Sequence, residues 1–202
     1  PRIRRLFPAM FAMLAATALG AYVILYPASY VDFGYSLAAA AVSVSNILFW
    51  LHSGYFDDTA ATNALLHTWS LSVEEQFYLL FPPIALACAR WAPKHIDKII
   101  LAIGAASFLY SAIAAFTAPS SAFYLLHSRA WELALGILLA RAPAYDLSRA
   151  TRNNLATAGL AMIGVSILVL KPDTPFPGLA AAPACFGTAL LIAAGRGGGK
   201  FI

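Results

Sequence analysis

Five stretches of this chain contain no Asp, Glu, Lys or Arg: residues 6–31, 33–56, 99–128, 153–170 and 174–195. Each approaches or exceeds the roughly 20 residues that a helix needs to cross a bilayer. Backbone N–H and C=O groups find no water in hydrocarbon, so such segments must satisfy them internally, and helices do so within one segment. A soluble domain has about a quarter of its residues charged. Here 11% are charged and 61% are hydrophobic over 202 residues. The fold class expected is all-α, a polytopic transmembrane helix bundle in the plasma membrane, with the lipid bilayer as its first partner.

The breaks in the pattern predict helices over residues 7–26, 34–51, 66–90, 99–116, 123–141, 155–170 and 178–194. Pro8 is expected in the opening turn of the first, where a proline is tolerated. Residues 52–64, 91–98, 142–153 and 171–177 read as connections. Ser36, Ser43, Ser45 and Asn46 stud the second helix, which suits packing against other helices better than contact with lipid. Arg129 and Glu132 stand three apart, a spacing at which they can pair.

A net charge of +4 suggests nucleic acid in a soluble protein. In this chain the basic residues sit at helix ends, so topology explains them and no nucleic-acid partner is expected. Placing Arg2, Arg4 and Arg5 with the basic groups at 90–98, 141–152 and 196–200 on the cytosolic side accounts for eleven of the thirteen Lys and Arg residues. The last four helices alternate as this requires. Three candidate segments separate Arg5 from Arg90, however, where an even number of crossings is needed. Residues 34–51, the most polar of the three, are therefore expected to be re-entrant or interfacial. Cys88 and Cys185 lie in apolar segments, where a thiol behaves as a small hydrophobe, so neither a disulfide nor a metal site is expected. Residues 1–202 open on Pro1 and three arginines with no convincing cleavage site, and read as an internal piece of a longer chain.

The chemistry concentrates in His67-Thr-Trp-Ser-Leu-Ser-Val-Glu-Glu-Gln-Phe-Tyr-Leu-Leu-Phe-Pro82. A carboxylate at the centre of a bilayer costs roughly 2.5 to 3.5 kcal/mol on insertion scales, so Glu74 and Glu75 must face protein or a wet cavity. On a helix His67, Ser70, Glu74 and Tyr78 share one face, with Thr68, Ser72 and Glu75 as an adjoining stripe. Glu74 belongs to the larger constellation and is the first candidate for a reaction cavity. Glu75 serves equally as a structural partner, His67 and Trp69 as interfacial residues, and Arg129 with Glu132 as a buried structural pair or with Arg129 facing Glu74. Arg2 and Arg5 are positive-inside anchors and also candidates for phosphate binding.

Three blocks in this order resemble the acyltransferase-3 family of membrane acyltransferases. Arg2-Ile-Arg-Arg-Leu-Phe-Pro8 is similar to its cytosolic Arg-x-x-Arg block, residues 63–82 to its most recognisable motif, and Ser128-Arg-Ala-Trp-Glu-Leu-Ala-Leu-Gly136 to its later Arg-x-x-Glu-Leu block. With Gly54-Tyr-Phe-Asp57 upstream, the middle block is most like members that carry a C-terminal SGNH hydrolase-like domain. Ala64 stands where proline is common and His127 where proline or threonine is usual.

The resemblance implies an O-acyltransferase that moves an acyl group, usually acetyl, from acyl-coenzyme A to a hydroxyl of an envelope glycan. It implies that residues 1–202 are the internal part of a single membrane acyltransferase domain, lacking the first helices, the last helices and any SGNH domain. It assigns the catalytic base to a histidine of a preceding helix, so this piece is expected to be inactive alone. Glu74, Ser70 and His67 are then the catalytic candidates of this chain and Arg2 and Arg5 the donor-binding ones. Trp69, Glu75, Tyr78, Arg129 and Glu132 form the polar shell that binds substrate or holds the structure. A glycan-precursor transporter or flippase with buried carboxylates, or a structural membrane subunit, satisfies the composition equally. Motif order favours the enzyme.

Overall fold

The computed structural model describes residues 2–53, 63–143, 147–171 and 173–196, and of residues 2, 3 and 5 the backbone alone. Lys200 and the segment that includes Gly54, Asp57 and Asp58 lie outside the described residues. All regular structure among the described residues is helical. Among the described residues four helices are long and apolar enough to cross a bilayer: Leu6–Ile24, Pro93–Thr117, Arg149–Val169 and Gly178–Arg196. Exposed Leu19, Val23, Leu109, Ile167 and Leu168 give these helices the apolar exterior that lipid requires. The chain is a multi-pass membrane protein. It divides at Pro82 and Pro83 into two compact units, Pro1–Pro82 and Pro83–Ile202.

In the first unit α1 (Arg2–Ile24) lies against α2 (Pro27–Ala41). Met10, Leu14, Ala21, Phe33, Ala40 and Leu65 form the buried core. Because α1 begins at Arg2, Pro8 lies inside the helix and not in its opening turn. The N–H that it lacks removes one intrahelical bond.

The helix expected over residues 34–51 is broken. α2 ends at Ala41 and α3 (Ser45–His52) starts anew, with Ser43 between them at φ +58°. Val44 N–H donates to Ala39 O at 2.8 Å and Ser43 N–H to Ala40 O at 3.1 Å, the two bonds of a Schellman stop. Serine occupies the left-handed position where glycine is usual. At 1.5 Å per residue, α2 and α3 are only about 22 and 12 Å long, each short of a roughly 30 Å hydrocarbon layer.

The motif helix α4 (Thr68–Trp91) follows a turn in which Asn63 Oδ1 accepts from Leu65 N–H at 2.9 Å. His67 falls in that turn and not on the helix.

In the second unit a short 3₁₀ turn, Pro93–His95, leads into α5 (Ile96–Thr117). The helix expected over residues 123–141 is again two: α6 (Pro119–Tyr124) and α7 (Leu126–Arg141), with Leu125 extended between them. Ser128 Oγ lies 2.7 Å from Ala122 O, a carbonyl that the break releases, and 2.6 Å from Leu125 O at the start of α7. Ser107 of α5 ties the pair together, donating to His127 O at 2.7 Å and accepting from Trp131 N–H at 3.0 Å.

Helix α8 (Arg149–Val169) begins earlier than expected because Ser148 caps it, its Oγ accepting from Thr151 N–H at 3.1 Å. Arg149 and Arg152, expected in a loop, therefore occupy its first turn. α8 packs on α9 (Gly178–Arg196) through a mutual glycine contact at Gly159 and Gly187. Arg141 pairs with Asp97, Arg152 donates to Ala194 O at 3.1 Å, and Arg196 donates to the carbonyls of Leu139, Ala140 and Ala142. These contacts gather the start of α5, the end of α7, the start of α8 and the end of α9 at one pole. The alternation expected for the last four helices holds within this unit.

Candidate functional site

Within the first unit, α4 presents polar groups on two sides. Thr68, Ser72 and Gln76 recur every fourth residue and so form one line along the helix. Thr68 and Ser72 are buried, as are Ser45 and Asn46 of α3, which they meet. The hydroxyl oxygens of Ser45 and Ser72 are 2.8 Å apart, Ser45 N–H donates to Ser72 Oγ at 3.3 Å, and Thr68 Oγ1 is 3.0 Å from Ser45 Oγ. Asn46 and Gln76 exchange amide bonds: Gln76 Nε2 donates to Asn46 Oδ1 at 2.7 Å and Asn46 Nδ2 to Gln76 Oε1 at 3.3 Å. Gln76 Nε2 also reaches the carbonyl of Ser43 at 3.0 Å. Each buried polar group left unpaired would cost several kcal/mol in an apolar setting, roughly 2–7 by transfer scales, which is why the cluster closes on itself. Ser36, Ser45 and Asn46, which studded the sequence, are thus buried against protein, as expected, while Ser43 is half-buried and contributes its carbonyl; what spacing missed is Gln76, whose amide looks like that of any other glutamine until its partner is placed.

The opposite stripe carries the acidic candidate. His67, Ser70 and Glu74 are exposed, whereas Glu75, Tyr78 and Trp69 are half-buried. Ser70 Oγ donates to His67 O at 3.3 Å, linking the turn to the first residues of α4. Ser70 and Glu74 therefore share an exposed side of α4, with His67 exposed in the turn before it and the uncharged cluster on the side away from them. A carboxylate, a hydroxyl and an imidazole on one surface can orient a sugar hydroxyl and accept or relay its proton. The side chains of Arg2 and Arg5 lie outside the described residues; their backbone belongs to the first turn of α1.

In the second unit Arg129 and Glu132 do pair, at 3.6 Å. Arg129 Nε also donates to Phe123 O at 2.9 Å, and its guanidinium lies 5.2 and 5.5 Å from the ring centres of Phe123 and Phe176. The short α6 and the break at Leu125 bring Phe123 back over Arg129, a contact that no helical spacing reveals. Glu132 lines a groove of about 280 Å³ between α7 and α9, with Gly136, Leu139, Cys185, Thr188 and Ile192. Its Oε1 is buried and without a hydrogen-bond partner among the described residues.

The whole chain, residues 1–202, matches the acyltransferase domain family Acyl_transf_3. A protein of Komagataeibacter xylinus provisionally named membrane-bound transacylase BcsY is 35% identical over 162 residues, 80% of this chain and 42% of the relative. The peptidoglycan O-acetyltransferase OatA of Listeria monocytogenes is 33% identical over 144 residues, 69% of this chain and 23% of the relative. An uncharacterised protein of Haemophilus influenzae is 28% identical over 205 residues, covering 95% of this chain and 83% of its own length. The chain thus spans less than half the length of the first two relatives. No solved structure matches it. With the match running through every helix described above, this multi-pass membrane protein belongs to the acyltransferase-3 family.

Proposed function

We propose that this chain is part of a membrane O-acyltransferase that moves an acyl group, acetyl above all, from acyl-coenzyme A to a hydroxyl of an envelope polysaccharide. The observation that carries this is the family match over the full chain, joined to relatives whose names describe transacylation and peptidoglycan O-acetylation. In the reaction the acceptor oxygen attacks the thioester carbonyl, a C–O bond forms, the C–S bond breaks, and the hydroxyl proton passes to a base while coenzyme A leaves as its thiol(ate). Such a site needs a group to orient the acceptor, cations to hold the donor phosphates and dipoles for the oxyanion.

Glu74 is the residue of this chain assigned to orient the acceptor hydroxyl or the base, with Ser70 and His67 beside it. Trp69, Glu75 and Tyr78 flank that surface. Arg2 and Arg5 are assigned to the donor phosphates, since a guanidinium offers paired donors in a fixed fork. Arg129 and Glu132 are given the structural role that their pairing and the cover of Phe123 support.

Glu74→Gln, Glu75→Gln and Glu132→Gln in the full-length protein test the assignment. Removing a positioned catalytic group typically lowers kcat by about 10²–10⁴-fold. Glu74→Gln is expected to fall in that range with membrane accumulation unchanged, because Glu74 is exposed in its unit. Near-normal transfer by Glu74→Gln alongside loss in Glu75→Gln would move the site to the other stripe. Glycan translocation in vesicles with no acyl transfer would replace the enzyme with a transporter.

A further inference from the structure

Helix α4 has two polar stripes, and only one can be turned against α3. Ser70, Glu74 and Tyr78, preceded by His67 in the turn, make the first; Thr68, Ser72 and Gln76 make the second. Polarity alone does not choose between them. The chemistry of α3 does. Asn46 is fully buried and offers a donor and an acceptor together. A carboxylate only accepts, so a glutamate in its place leaves Asn46 Oδ1 facing another acceptor. Gln76 answers both groups at once, and its nitrogen also meets the carbonyl of Ser43. That carbonyl is aimed by the left-handed Ser43 that ends α2.

We propose that the Asn46–Gln76 amide pair is the lock that fixes the rotation of α4, making Gln76 the positioning residue for the face that carries Glu74. A single buried amide serves the same purpose in coiled coils, where it selects register among otherwise equivalent apolar packings. The sensitivity follows from helix geometry. One residue is a turn of roughly 100° about the axis, so a slip by one position carries Glu74 off its present side altogether. Ser45 and Ser72 supply a ruler: their hydroxyl oxygens are 2.8 Å apart, which places cysteines at both positions within reach of a disulfide. The lock itself stands on geometry alone; only its catalytic consequence rests on the function proposed above.

The test uses the full-length protein in native membranes, with Cys88→Ala and Cys185→Ala, and oxidative crosslinking of Ser45→Cys with Ser72→Cys. Gln76→Glu keeps the shape and turns both contacts of Nε2 into acceptor against acceptor. Crosslinking at 45 and 72 is expected to fall by about fivefold, in line with the loss of interhelical hydrogen bonds in membranes. A Ser45→Cys/Ser70→Cys pair is expected to gain. In the parent protein Gln76→Glu should lower kcat by about tenfold with the KM for acyl-coenzyme A unchanged, the signature of a displaced catalytic face. Asn46→Gln with Gln76→Asn, which preserves a reciprocal amide pair, should restore both readouts. Unchanged crosslinking in Gln76→Glu overturns the lock, as does failure of the exchanged pair to restore it. If Gln76→Glu does not accumulate, Gln76→Met removes the same bonds without a charge and is judged by the same ruler. Lost crosslinking with normal kcat overturns the positioning role and leaves acyl transfer standing. Absence of acyl transfer in the parent refutes the proposed function, while crosslinking, which needs no substrate, still decides the lock.

Discussion

Gly159→Ala and Gly164→Ala make the same chemical change on the same helix and should move stability in opposite directions. A Cβ built at Gly159 would lie 2.6 Å from the carbonyl oxygen of Gly187 and 3.0 Å from Leu191 Cγ. Ordinary contact begins at 3.4 Å, so α8 and α9 would have to part by several tenths of an ångström. A radial gap of 0.5–1 Å forfeits roughly a quarter to a half of the dispersion energy of each affected contact. Overpacking of this kind costs about 1–3 kcal/mol. The clash is with backbone, which has no rotamer to yield. At Gly164 a Cβ meets nothing within 4 Å, so alanine brings only its better helix propensity, worth up to about 1 kcal/mol. Thermal unfolding of the two purified variants in one detergent provides the assay. At about 2–4 °C per kcal/mol for a chain of this size, Gly159→Ala should melt several degrees below the parent and Gly164→Ala at or slightly above it. Gly159→Ala melting no lower than Gly164→Ala would refute the close approach of α8 and α9. Gly187→Ala should reproduce the loss, and the double variant should lose less than the sum, because one separation of the helices relieves both clashes.

Ser43→Gly should stabilise the protein by about 0.5–1 kcal/mol in the same assay, since it relieves a left-handed serine and leaves the carbonyl that accepts from Gln76 in place; a loss of stability would mean that the serine hydroxyl outweighs the strain. Replacing Arg2 and Arg5 together by Gln should raise the KM for acyl-coenzyme A by roughly tenfold or more, because a hydrogen bond to a charged group contributes about 1.5–3 kcal/mol. An unchanged KM in a variant that inserts normally would return both arginines to an anchoring role alone. Single cysteines at Lys94 and Arg149 should react with an impermeant maleimide only from the cytosolic side, and one at Thr174 only from the other, because basic side chains collect at one pole of the second unit. Labelling of Lys94→Cys and Thr174→Cys from the same side would contradict that topology.

Long uncharged runs determine by themselves that this chain enters the bilayer as helices, because the requirement to pair every backbone group acts within each segment. The basic residues at segment ends add the alternation of the last four helices, and the order of three motif blocks points to the family. Local chemistry also bounds some helices, as at Ser148, although its cap is recognisable only once Thr151 is seen to donate to it. Tertiary structure decided the rest. Spacing places His67, Ser70 and Glu74 on one side of the motif and Thr68 and Ser72 on another, but either stripe is polar enough to face a neighbour. The choice fell to Asn46, thirty positions before Gln76, whose donor and acceptor are both met by the single amide of Gln76, where the carboxylate of Glu74 could only accept. The two broken helices have the same origin. Neither Ser43 nor Leu125 is a glycine or proline that would mark a break, and at each break a side chain takes up a carbonyl that an unbroken helix would have kept for itself, Gln76 that of Ser43 and Ser128 that of Ala122.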